Sequence, residues 1–350
     1  MAYEIMIEPI GQSVPIREGQ TVLDACLRAG VWLPHACGHG LCATCKVQLV
    51  DGDIEHGEAS NFALMDFERD EGKLLACCAT AQSDLVIEAE IDEDPDARQL
   101  VIEDYEARLV ETRMLTPTIR GLWLETDRAL DFQAGQYVML QVPGIGARAF
   151  SIANAPGGSR IELHIRKVEG GQATSWLHES LQVGDALKIT GPFGRFFLRK
   201  SAQKPVLLLA GGSGLSSPKA MLLELLDEGC ELPITLLHGA RSLPELYDRE
   251  LFETLAERHP NFSYVPVLSR HEGPGWDGET GHVHEALKRR FANDFRGHKA
   301  YLCGPPPMIE ACVSTLMQGR LFEQDIYSER FFTAADAAAP AKRSPLFKTL

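Results

Sequence analysis

Cys37-Gly38-His39-Gly40-Leu41-Cys42-Ala43-Thr44-Cys45 holds three thiols with four and then two residues between them, and an adjacent pair, Cys77-Cys78, follows downstream. Three thiolates at this spacing wrap one side of a 2Fe-2S cluster, and a distant cysteine completes the set. Gly38 and Gly40 suit such a loop, because backbone amides must come close to the inorganic sulfurs. Other metals fail on spacing. A zinc ribbon needs a second Cys-x2-Cys, which Cys77-Cys78 does not supply. A Rieske centre needs paired histidines, and no Cys-x2-His follows Cys37-x-His39. His35, His39 and His56 read as surrounding groups rather than ligands, and Cys26 as a helix core residue.

The chain around this loop is 350 residues long, enough for two or three domains. Its composition, 45% hydrophobic and 24% charged, excludes a disordered or low-complexity protein. No apolar run reaches the ~18 residues of a membrane span. The start, Met1-Ala2-Tyr3-Glu4-Ile5, lacks the basic stretch and apolar core of a signal peptide, so a cytoplasmic location is expected. Nine cysteines, an odd number weighted towards the first 80 residues, then signify metal or redox chemistry rather than disulfides. The net charge is −15, and residues 1–95 carry −13 of it, with 18 acidic against 5 basic side chains. Such a lobe repels nucleic acid phosphates and suits a basic protein surface, although net charge also serves solubility.

Pattern divides the chain into segments 1–95, 102–200 and 204–335, with a tail at 336–350. In the first, strand-like runs at 3–8 and 13–16 precede a helix at 21–29, the cysteine loop, and strands at 45–50 and 84–91. The acidic run 92–96 reads as a linker. Short β runs at 106–111, 118–125, 137–142, 160–168 and 186–190 predict a small antiparallel barrel. From Pro205 strands alternate with helices, which predicts a doubly wound parallel sheet.

Leu33-Pro34-His35-Ala36-Cys37 through Cys45-Lys46-Val47, with Leu75-Ala76-Cys77-Cys78, resembles the plant-type ferredoxin domain of oxygenase reductases, a β-grasp fold. The resemblance makes Cys37, Cys42, Cys45 and Cys77 the cluster ligands and leaves Cys78 outside the set.

Arg148-Ala149-Phe150-Ser151 puts a cation, a planar ring and a hydroxyl within four residues, groups suited to a diphosphate, an isoalloxazine face and its N5. The stretch resembles the Arg-x-Tyr-Ser flavin motif of the ferredoxin–NADP reductase superfamily, with Phe150 in place of tyrosine. Leu163-His164-Ile165-Arg166 and Gly170-Gly171-Gln172-Ala173-Thr174 resemble its second element, where a strand and a helix N-terminus hold the FAD pyrophosphate. This resemblance implies FAD bound by Arg148 to Ser151, Ile165, Arg166, Gly171, Thr174 and Phe331.

Gly211-Gly212-Ser213-Gly214-Leu215-Ser216-Ser217-Pro218 follows an apolar strand and opens a helix, where backbone amides meet a pyrophosphate. Ser217 stands where the dinucleotide fingerprint has its third glycine, and Pro218 instead matches the reductase superfamily's nucleotide loop. Cys303-Gly304-Pro305-Pro306-Pro307-Met308 resembles that superfamily's Cys-Gly-Pro-Pro-x-Met signature, with the cysteine beside the nicotinamide. Tyr327-Ser328-Glu329-Arg330-Phe331 is similar to its C-terminal acid-plus-aromatic element. Ser151, Cys303 and Glu329 are thereby implied as the groups acting on the hydride step. Gly211 to Gly214, Pro218, Cys303, Gly304, Pro305 and Met308 are implied to hold NAD(P)H, and Arg241 lies where it could meet a 2′-phosphate. The resembling reductases prefer NADH, which we therefore expect.

Ferredoxin, flavin barrel and nicotinamide segments in this order resemble the reductase components of soluble diiron monooxygenases. Local phrases such as Glu58-Ala59-Ser60-x-Phe62 and Phe331-x-Thr333-Ala334-Ala335-Asp336 are nearest to phenol hydroxylase reductase components. That implies electron flow from NADH through FAD and the cluster to an oxygenase, with neither nucleic acid nor membrane as partner. Reductases of toluene- or benzoate-type oxygenases are the rival reading, and a redox sensor is a more distant one.

Overall fold

The computed structural model describes residues 2–35, 38, 40–41, 43–91, 94–270 and 275–331. Cys37, Cys42, His39, part of the acidic linker and the alanine-rich tail, including Thr333 to Asp336, lie outside the described residues. The described residues divide into two compact units, one up to Glu103 and the other from Asp104 to Phe331.

In the first unit five strands lie in the spatial order Gln12–Arg17, Ala2–Glu8, Leu85–Glu88, Lys46–Asp51, Lys73–Leu75. The first strand pairs antiparallel with the second and parallel with Leu85–Glu88, so the last strand enters the middle of the sheet. Helix Val22–Arg28 crosses it. Thr21 caps the helix by accepting from the Asp24 N–H at 3.2 Å, and Val22, Leu23, Ala25, Cys26 and Leu27 are buried. Alternating burial along Gln12–Arg17, with Val14 and Ile16 inward, shows which sheet face the helix covers. This is the expected β-grasp. Strand 84–91 shortens to Leu85–Glu88, and a short helix, Asp66–Asp70, appears that periodicity did not reveal because it buries no residue.

The second unit begins with a six-stranded antiparallel sheet ordered Gly146–Ser151, Tyr137–Val142, Ala186–Phe193, Glu103–Met114, Ile119–Thr126, Arg160–Arg166. An isolated bridge between Ile152 and Leu163 links its two ends into a barrel. Strand Gly146–Ser151 is the one the β runs missed. It reads as polar because Arg148 and Ala149 are exposed, leaving only Ser151 fully buried. Helix Gln172–Glu179 follows Arg160–Arg166, with Gly171 as its N-cap.

The parallel sheet runs Glu279–Thr280, Phe262–Leu268, Ile234–Ala240, Val206–Gly211, Lys299–Gly304, Ile326–Arg330. The order reverses beside Val206–Gly211, the switch point where open α/β sheets bind ligands at their strand C-termini. One apolar cluster joins barrel residues Ile119, Ala134 and Phe196 to Leu208, Met221, Leu236 and Tyr301 of this sheet, so the two share a core. Helix Arg249–Arg258 starts only after a 3-10 turn at Leu243–Glu245 and a left-handed Asp248 (φ 56°).

Candidate active site and cofactor loops

The parallel pairing of Lys299–Gly304 with Ile326–Arg330 sets Cys303 opposite Glu329. The barrel's Ser151 meets them at the same point. Its hydroxyl donates to Glu329 Oε2 at 3.0 Å, the Ser217 hydroxyl donates to the same oxygen at 3.3 Å, and the Cys303 thiol lies 3.8 Å away. Burial pushes the Glu329 carboxyl up to about 7, against the three hydrogen bonds, which pull it down. Burial, and then the nearby carboxylate, raise the Cys303 thiol well above its usual range, so it stays protonated. Cys26 and Cys312 are raised to about 12 by burial alone, as inert core thiols are. The cluster Ser151–Ser217–Cys303–Glu329 thus combines a buried acid, raised toward neutrality, with two hydroxyls that donate to one of its oxygens.

The nucleotide loop packs more tightly than its motif alone implies. A Cβ on Gly214 would lie 2.5 Å from the Cys303 carbonyl oxygen, and one on Gly211 would lie 2.6 Å from the Met308 sulfur. Both glycines therefore serve the packing of this loop against Cys303–Met308. Gly212 alone keeps an open face, with the Arg166 guanidinium 4.0 Å from a notional Cβ. Ser213 and Pro218 are buried, and Pro218 sits in the first turn of helix Ser216–Asp227. Pro305 caps helix Pro306–Gln318, and the Phe331 N–H donates to the Gly304 carbonyl at 3.0 Å. That bond holds Phe331 beside the Cys303–Gly304 strand end.

Arg148 and Ala149 are exposed and Phe150 is half-buried, while Ile165 is in the barrel core and offers only its backbone. The Thr174 hydroxyl closes its own loop, accepting from the Val168 N–H at 3.1 Å and donating to the Gly171 carbonyl at 3.2 Å. Arg241 is paired through its guanidinium and its backbone N–H with Glu245.

Of the four cysteines that the sequence resemblance implies as cluster ligands, Cys45 and Cys77 are described. Lys46 pairs with Leu75, and the Ala76 N–H donates to the Cys45 carbonyl at 2.9 Å, which holds the third-thiol turn beside the distant segment. Cys77 and Cys78 have their sulfurs 3.6 Å apart. Gly40 has φ +72°, and a Cβ there would lie 2.7 Å from the Cys78 sulfur, so the loop closes over this pair only with glycine. These donor sets and cradles fit a thiolate-bound cluster and a dinucleotide.

Residues 5–82 match the 2Fe-2S iron-sulfur cluster binding domain, 106–198 the oxidoreductase FAD-binding domain and 208–314 the oxidoreductase NAD-binding domain. The phenol 2-monooxygenase reductase component of Pseudomonas sp. (strain CF600) is 57% identical over 353 residues, covering 100% of both chains. The phenol hydroxylase P5 protein of Acinetobacter pittii (strain PHEA-2) is 58% identical over 351 residues, 99% of each. The chain belongs to the phenol hydroxylase reductase component family. It is a flavoprotein oxidoreductase with FAD, a 2Fe-2S cluster and a nicotinamide coenzyme. Among solved structures, an Amycolatopsis cytochrome P450 reductase superimposes with TM-score 0.87 at 35% identity, covering 94% of this reductase and 98% of that chain. The ferredoxin reductase in carbazole 1,9a-dioxygenase gives 0.81 at 26%, covering 95% and 99%.

Ser217 joins the cluster of Ser151, Cys303 and Glu329, although the sequence motifs give it no role there. It was legible only as a departure from the glycine fingerprint, and its contact with Glu329 spans 112 positions. No described helix is long and apolar enough to cross a membrane.

Proposed function

We propose that this chain carries electrons from NADH to the hydroxylase component of a phenol monooxygenase. Segments 1–95, 102–200 and 204–335 act as cluster, flavin and nicotinamide modules. The chemistry that bound FAD would supply is acceptance of a hydride and release of single electrons, and a 2Fe-2S cluster would supply a one-electron relay. Cys37, Cys42, Cys45 and Cys77 hold the cluster. Arg148, Ala149, Phe150, Ser151, Gly171 and Thr174 line the flavin, together with Phe331 and the backbone at Ile165 and Arg166.

Gly211, Gly212, Ser213, Gly214, Pro218, Gly304, Pro305 and Met308 shape the coenzyme loop. Glu329 Oε2 takes up or returns a proton through the Ser151 hydroxyl, and Ser217 steadies the carboxylate. The protonated Cys303 thiol fills the nicotinamide side without competing as a nucleophile. The pairing of Arg241 with Glu245 favours NADH, since the arginine's charge is already met and the carboxylate repels a 2′-phosphate.

The observation that carries this reading is the meeting of Ser151 from the barrel with Cys303 and Glu329 from the parallel sheet. The test is an anaerobic NADH titration of purified protein followed by turnover with a phenol hydroxylase. Bleaching of flavin and cluster bands, with coupled hydroxylation, is expected. A toluene- or benzoate-type oxygenase served better than the phenol enzyme would overturn the assignment of partner. Slow NADH oxidation with no transfer to any oxygenase would indicate a sensor.

A further inference from the structure

A second polar cluster lies beneath the nucleotide loop, and the hydride step as described leaves it unused. Lys219, in the first turn of helix Ser216–Asp227, is 4% exposed. A cation at the positive end of a helix, removed from water, is doubly disfavoured. Two carboxylates from different parts of the fold offset it. Its ammonium donates to both oxygens of Glu162 on barrel strand Arg160–Arg166, at 2.9 and 3.1 Å, and to Asp248 Oδ2 at 2.7 Å.

The same barrel strand carries His164, whose Nε2 is 2.9 Å from Glu162 Oε1. Burial lowers the His164 pKa; burial would raise the Glu162 carboxyl, but the interactions with His164 and Lys219 outweigh it and hold it down at about 2, so Nε2–H donates to an ionised carboxylate. His164 Nδ1 is thereby left as an acceptor 2.9 Å from the Tyr247 hydroxyl. That hydroxyl also lies 3.3 Å from the Gly212 carbonyl oxygen in the nucleotide loop. The hydroxyl's single proton goes to His164 Nδ1, so its approach to the Gly212 carbonyl is a packing contact rather than a second full hydrogen bond. His164, Glu162 and Asp248 resemble a metal ligand set, but the Lys219 ammonium occupies the position a cation would take.

We propose that Lys219 is a positioning residue for hydride delivery, bridging Glu162 and Asp248 so that the flavin-side strand and the nucleotide loop keep one register. The proposal goes beyond the electron-transfer reading and rests on it only for the reaction affected. Lys219 acts through the barrel strand that carries Glu162 and through its own helix, which directly follows the nucleotide loop.

The test uses full-length holoprotein in two forms, Lys219→Met and the triple variant Glu162→Gln/Lys219→Met/Asp248→Asn, which has no unpaired buried charge. Both should retain FAD and be reduced by dithionite at the wild-type rate. In both, the limiting rate of flavin reduction by NADH should fall about tenfold or more, a loss of one decade in rate. Backbone hydrogen exchange across 211–216 should rise by about the same factor, since the loop opens more often. The triple variant should recover thermal stability without recovering either readout. Recovery of rate and exchange together with stability would overturn the proposal and reduce Lys219 to a balancing charge. Faster exchange with an unchanged hydride rate would also overturn it. Should Lys219→Met not accumulate, the triple variant carries the same comparison. A wild-type flavin that NADH does not reduce would defeat the electron-transfer reading instead, and the exchange result would stand apart from it.

Discussion

Replacing Glu329 by glutamine should make the protein's stability less dependent on pH, in a window set by this one carboxyl. In the folded chain burial raises it to about 7 from an ordinary 4.5, so the folded state holds a proton that the unfolded state releases. Stability from this source is complete below the unfolded value and is lost as pH rises through the folded one. Between pH 6 and 8.5 the two titration curves imply a loss of about 1.4 kcal/mol, or a factor of about ten in the folding equilibrium. For a unit of this size that corresponds to roughly 3–6 °C in melting temperature. Glutamine can still accept the Ser151 and Ser217 hydrogen bonds but has no proton to lose. The assay is thermal unfolding of cofactor-free wild type and Glu329→Gln at both pH values. Histidines and other carboxyls titrate alike in the two proteins, so the difference of differences isolates residue 329. Wild type should lose several degrees more than the variant on going to the higher pH. An equal loss in both would refute the argument that Glu329 is protonated near neutrality.

Three further outcomes are expected. Cys303→Ala or Glu329→Ala should slow NADH-driven flavin bleaching by about tenfold or more in stopped flow, the scale for a lost group in proton transfer or positioning, with FAD and iron content unchanged. Cys77→Ser should abolish the cluster's visible absorption while Cys78→Ser keeps it; the reverse result would shift the ligand register by one residue. Glu245→Ala should free Arg241 and raise the NADPH-to-NADH ratio of kcat/KM by roughly three- to tenfold, in line with the modest worth of a partly exposed ion pair; an unchanged ratio would mean that Arg241 does not face the 2′ position.

The cysteine spacing, the glycine loops and the order of the three segments could all be read along the chain, because each depends on residues within one turn or loop. Thiolates around a cluster and amides around a pyrophosphate are local requirements, and so is the strand period that separates barrel from parallel sheet. The strand at Gly146–Ser151 escaped this reading because an exposed barrel edge carries no apolar alternation. Contacts between distant segments were settled by sheet register and core packing instead. Cys303 stands beside Glu329 through a parallel pairing 26 positions apart, and Ser217 reaches that carboxylate only because its helix starts next to both. The glycine at 214 looked like a pure coenzyme contact, yet its lack of a side chain is needed first to admit the backbone of Cys303 and Gly304. Lys219, Glu162, His164, Tyr247 and Asp248 look like ordinary surface-type residues in sequence. They become one buried charge network because the barrel and the parallel sheet share a core, and within it each charge must find its counter-charge.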